Sequence, residues 1–109
     1  NLSGANATLS SSGDRAVKVN TTVNSDSGLN ISGNKAEITG NGTLNVTGNL
    51  AVTSTDFTNN GTVNATNATF DVTNFTTAEN SSINASENVI VNATALTTNG
   101  NISGVKMLT

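Results

Sequence analysis

The chain contains no cysteine, histidine, proline, tryptophan or tyrosine, and only 10% of its 109 residues are charged. Without cysteine there is no disulfide framework and no thiolate metal site, although this alone does not fix a compartment. Without histidine the commonest general base is missing. Average usage of ~5% would supply about five prolines. Their absence fits a chain that is nearly all strand and turn, because proline removes a backbone donor and interrupts continuous sheet ladders. An ordinary globular domain carries about 25% charge. Here Arg15, Lys18, Lys35 and Lys106 stand against seven acids, a net charge of -3. Clustered basic residues, the footprint of a nucleic-acid binder, are lacking. No apolar run approaches the ~18 residues of a membrane-spanning helix.

Asparagine, threonine and serine fill the gap, with 20, 19 and 12 residues. Leu, Ile, Val and Phe still total 25, too many, with too little charge, for charge-driven disorder. Residues 1–109 therefore read as a single repeat segment. "NLSGANATLS" begins in mid-pattern with neither an initiator methionine nor a signal peptide. The expectation is a fragment of a longer repeat protein.

"NGTLNVTGNLAVTSTDFTN" (41–59) is followed at once by a loose copy, "NGTVNATNATFDVTNFTTAE" (60–79). One apolar column runs through Leu2, Val23, Leu44, Val63, Ile83 and Ile102, at spacings of 21, 21, 19, 20 and 19. A second reads Leu9, Leu29, Leu50, Phe70, Val89 and Leu108, and a third Val17, Ile38, Phe57, Phe75 and Leu96. Val19 and Val46 read as second inward positions. Three columns keeping step over several repeats mark a stacked architecture.

Within each phrase apolar residues alternate with Asn and Thr, as in "TLNVT" and "TVNAT". That period of two is a half-buried strand. Asn-Gly recurs at Asn41-Gly42, Asn60-Gly61 and Asn99-Gly100, where glycine is expected to take the positive φ that a corner needs. Three short strands per rung and 19–21 residues per rung describe an all-β parallel β-helix, a β-solenoid of five to six rungs. A single rung cannot bury its apolar face, whereas stacking makes the core continuous. Asn20, Asn41, Asn60, Asn80 and Asn99 open successive rungs, and are expected to form an amide ladder at one corner. Asn24, Asn45, Asn64 and Asn84 are expected to point outward from the first strand.

These degenerate phrases, "NGTLNVTGNLAV" and "NGTVNATNATFDV", resemble the filamentous haemagglutinin family of large secreted exoproteins. The abundant Asn-x-Ser/Thr is similar in particular to its high-molecular-weight adhesin branch. The resemblance implies a right-handed coil and a secreted, cell-surface location. It further implies export by two-partner secretion through an outer-membrane partner, and attachment to a receptor or glycan on host cells or other bacteria. As a virulence-associated adhesin segment, the chain would then be a stalk or a binding surface.

Fourteen of the 20 asparagines lie in Asn-x-Ser/Thr. Alternation of outward Asn and Thr on a polar strand produces many of these by itself. The functional reading is glycosylation, used by the resembled branch, with Asn45, Asn64, Asn84, Asn20, Asn41, Asn60 and Asn80 as candidate sites. Asn45, Asn64 and Asn84 would stack one rung apart, leaving room for short glycans only.

Parallel β-helices also build polysaccharide lyases, which need clustered carboxylates with Lys or Arg on one face. Asp14, Asp26, Glu37, Asp56, Asp71, Glu79 and Glu87 read instead as solvated charges scattered over corners and different faces. No catalytic, metal or cofactor-binding residue is expected, and no enzyme. Two other functions fit the pattern. One is an extracellular filament subunit stacking end to end through unpaired edges. The other is an ice-binding solenoid, whose flat face would be Thr43, Thr62 and Ser82 with Thr47, Thr66 and Ser86, interrupted by Asn.

Overall fold

The structure is a computed structural model that describes residues 7–10, 16–104 and 106–108. The described residues are all-β, with 76% of them in strands and no helix, and the stacked coils form a parallel β-solenoid of about five turns. Chain order gives β1 (Ala7–Ser10), β2 (Ala16–Val19), β3 (Thr22–Ser25), β4 (Leu29–Ser32) and β5 (Lys35–Ile38). The long β6 (Thr43–Asn59) and β7 (Thr62–Thr77) follow, then β8 (Ser82–Asn92), β9 (Ala95–Thr98), β10 (Asn101–Ser103) and β11 (Lys106–Leu108). Every strand pairing among the described residues is parallel. Three separate strands make up the coil of β3, β4 and β5, whereas β6 and β7 each run as one bent strand around a whole coil.

Three faces result, each stacked in parallel register over successive coils. On the first, Val23, Leu44, Val63, Ile83 and Ile102 are direct partners, one above the next. Leu44, Val63 and Ile83 are fully buried, and Val23 and Ile102 pack against the core from its ends. Leu2 lies outside the described residues.

The second face departs from the sequence-based column. Leu50 pairs with Ala68, and Phe70 pairs with Val52 and Val91. Two inward columns exist here. One runs Leu29, Leu50, Ala68, Val89; the other runs Leu9, Ile31, Val52, Phe70, Val91. The reason is corner length. The pairing shifts register between Val46 and Asn49 and again between Ala65 and Asn67. Two residues turn that corner in β6 and β8, but only Thr66 does so in β7. A slip of two residues keeps the inward face inward, so both alignments look equally apolar in sequence. At the far end, Leu108 pairs with half-exposed Ile90, not with Val89, whose partner is Met107.

The third face needs a similar correction. Val17 pairs with Ala36, which pairs with Phe57, then Phe75, then Leu96. Ile38 belongs to the neighbouring column, between Val19 and Asn59. Leu96 is 43% exposed; among the described residues β9 pairs with β7 alone. Phe57, Phe70 and Phe75 are buried and meet in the interior. Their ring centroids lie 4.9, 5.5 and 5.1 Å apart, within the range of favourable aromatic contact.

One corner admits no side chain. A Cβ on Gly61 would stand 2.3 Å from the Gly42 carbonyl oxygen and 2.4 Å from that of Thr39. The glycine of the Asn-Gly phrase is therefore required by close backbone approach between coils, not by a positive φ.

Candidate functional site

Side-chain amides join the coils along the first face. Asn45 Nδ2 donates to Asn24 Oδ1 at 2.9 Å, Asn64 to Asn45 at 2.9 Å, and Asn84 to Asn64 at 3.0 Å. Ser103 Oγ continues the row by donating to Asn84 Oδ1 at 3.0 Å. Asn45 and Asn64 are half-buried and Asn84 is exposed. Thr22, Thr43, Thr62 and Ser82 stand in register beside this row.

A second row follows the corner, where Asn67 donates to Asn49 at 3.0 Å and Asn88 to Asn67 at 3.1 Å. The uneven corner length hides this row from a constant repeat. Asn49, Asn67 and Asn88 are 18 and 21 residues apart.

The corner asparagines do not form the expected ladder. Asn60 turns its amide to Glu37 Oε2 at 3.4 Å, and Asn20, Asn41, Asn80 and Asn99 are exposed. The tight Gly42 and Gly61 backbone occupies that corner, so coil-to-coil contact there is made by main chain: Thr62 N donates to Gly42 O and Ser82 N to Gly61 O. Of the candidate glycosylation residues, Asn20, Asn41 and Asn80 thus stand exposed at corners. Asn45, Asn64 and Asn84 have one amide hydrogen engaged in the row.

Polar groups inside the coil escaped the sequence reading. Asn59 is fully buried: its Oδ1 accepts from Gly61 N at 3.1 Å and its Nδ2 donates to Ser82 O at 3.1 Å. Thr77, also fully buried, takes the next place in that column and accepts from Gly100 N at 3.3 Å. Ser81 and Ser25 are buried with their hydroxyls on the carbonyls of Ala78 and Gly28. No buried side-chain nitrogen or oxygen among the described residues is unpaired. The signal in the sequence was the doublet Asn59-Asn60, where only the second residue opens the phrase.

Charge is less scattered than its sequence positions suggest. Lys18 lies opposite Glu37, and Lys35 opposite Asp56, all on the third face. Asp56 Oδ1 accepts from Asn74 Nδ2 at 2.6 Å. The reading that these acids fall on different faces fails for Glu37 and Asp56, because β5 and β6 stack in register there. Asp14 lies outside the described residues. Among the described residues no group of three or more acids is placed to hold a metal ion, and no helix is long and apolar enough to cross a membrane.

No protein-family model matches the chain, and neither does any curated protein or solved structure.

Proposed function

We propose that this chain is a stalk or contact segment of a secreted bacterial cell-surface adhesin, attaching to host cells or to other bacteria and catalysing nothing. The observation that carries the reading is the first face. Four coils present the same threonine or serine and the same asparagine at the same place, the asparagines fixed in orientation by one another. An array of this kind makes many weak hydrogen bonds to another polar array, such as a glycan, and gains strength by repetition along the stack. The resemblance to the filamentous haemagglutinin family supports the same role, with export through an outer-membrane partner. The test is adherence to epithelial cells, and to bacterial mates, by cells displaying the parent protein with and without coils of this type. Loss of adherence on removing them supports a contact surface. Adherence unchanged by shortening reduces the segment to a spacer, and polysaccharide turnover by the purified protein overturns the reading.

The second reading is a filament subunit stacking end to end. Leu96 is exposed on β9, beside exposed Thr97 and Thr98. An apolar side chain on an unpaired strand edge accepts a further coil, whether from the same polypeptide or another copy. Growth of fibres from purified protein, stopped by Leu96→Lys, would distinguish this from adhesion.

A further inference from the structure

The third face carries both signs of charge at close quarters. Lys18 faces Glu37 in one column, and Lys35 faces Asp56 in the next. Lys35 and Glu37 sit two residues apart on β5 and so point to the same side of the strand. Sign therefore alternates both up the stack and across it. Together with Ala16, Ala36 and Thr58 these four residues line a shallow groove of about 380 Å³. Hydrogen bonds from Asn60 and Asn74 anchor its two carboxylates. Among residues with described side chains, both lysines stand in this groove, whereas Asp26, Asp71, Glu79 and Glu87 lie outside it.

We propose that the groove is a lateral docking surface for a second copy of this chain, the two stacks lying side by side and parallel. A two-fold axis along the stack exchanges the Lys35 and Glu37 columns. Lys35 of each copy then meets Glu37 of the other, making two equivalent ion pairs at one level, as an isologous contact requires. The amide rows of the other faces are neutral, so contact between copies through them pairs no opposite charges, whereas contact through this groove does. An exposed ion pair contributes little and is screened by salt. The contact is consequently weak for two free molecules, and grows where many copies are held on one surface. It does not rest on the adhesin reading, since bundling needs no receptor.

The test uses beads bearing the purified protein at high density and reads their clumping rate. Wild-type beads clump at low salt and disperse at high salt. Lys35→Glu and Glu37→Lys each place like charges opposite one another, and each alone lowers the rate roughly tenfold or more. Mixing beads of the two variants restores it, because the all-acidic pair of one now faces the all-basic pair of the other. Both side chains reach the surface, so unchanged urea midpoints establish that the variants fold. Wild-type beads that stay dispersed overturn the proposal, and so does clumping insensitive to either reversal. Failure of the mixture to recover overturns the parallel Lys35–Glu37 contact.

Discussion

Asn64 and Asn45 are joined across one coil by a 2.9 Å hydrogen bond, the later amide donating to the earlier oxygen. Directly beside them, Val63 is buried without exposure, stacked on Leu44. One residue of strand thus separates a dry column from a polar one. Val63→Asp buries an unpartnered carboxylate and is expected to cost at least about 3 kcal/mol. Asn64→Asp removes a donor and sets a carboxylate against the Asn45 oxygen, which costs about 1–2 kcal/mol. Urea denaturation of the two variants checks the order, and equal losses would refute the assigned register.

Asn59 tests the interior polar column. Asn59→Leu matches its size but leaves Gly61 N and Ser82 O without their partners. Each unpaired buried group costs about 1–3 kcal/mol, so a loss of about 2–4 kcal/mol is expected. Asn88→Ala, at the end of the second amide row, should cost below about 1 kcal/mol. Comparable midpoints for the two variants would contradict the buried role of Asn59.

Phe70 and Leu96 were both placed in apolar columns, yet their environments differ. Phe70→Ala empties the centre of the three-ring cluster and should cost about 3–5 kcal/mol. Leu96→Ala, at an exposed position, should cost less than about 1 kcal/mol. Thermal unfolding of the isolated chain separates them, and a large loss at Leu96 would place another element over β9.

The two glycines flanking Asn41 and Asn60 give a sharp backbone test. Gly61→Ala drives a Cβ into two carbonyl oxygens, and should cost about 1–3 kcal/mol or more. At Gly40 an added Cβ meets nothing within 4 Å. Gly40→Ala should therefore stay within about 0.5 kcal/mol of wild type.

The coiled architecture was legible because burial needs one apolar face, and period-two alternation recurring every 19–21 residues states that face directly. The first column was readable residue by residue, since "TLNV", "TVNA" and "SINA" begin after equivalent corners. Its neighbours were not. The Thr66 corner is one residue shorter than the Thr47–Gly48 corner, so the step falls from 19 residues (Leu44 to Val63) to 18 (Leu50 to Ala68), and Leu50 over Phe70, at 20, reads as well as Leu50 over Ala68. Pairing depends on how the chain turns a corner, which a hydrophobicity pattern does not encode. The Lys35–Glu37 patch was hidden for the same reason, because Lys18, Lys35 and Asp56 become neighbours only once 19- and 21-residue steps are assigned. An amide ladder was expected at Asn41 and Asn60 because they open successive rungs, each followed by a glycine. That same glycine lets the backbones close and leaves no place there for stacked side chains.

In the row from Asn24 to Ser103 every donor belongs to the later coil and every acceptor to the earlier one. The bond dipoles therefore add rather than cancel, and the row behaves as an arrow along the stack. Its two ends are chemically unlike: a coil added after Asn84 must arrive with a hydrogen to give, as Ser103 does. Two stacks meeting tail against tail would set acceptor against acceptor. Head-to-tail order is thus written into the side chains as well as into the parallel backbone, and extension in the wrong sense meets a mismatch at first contact.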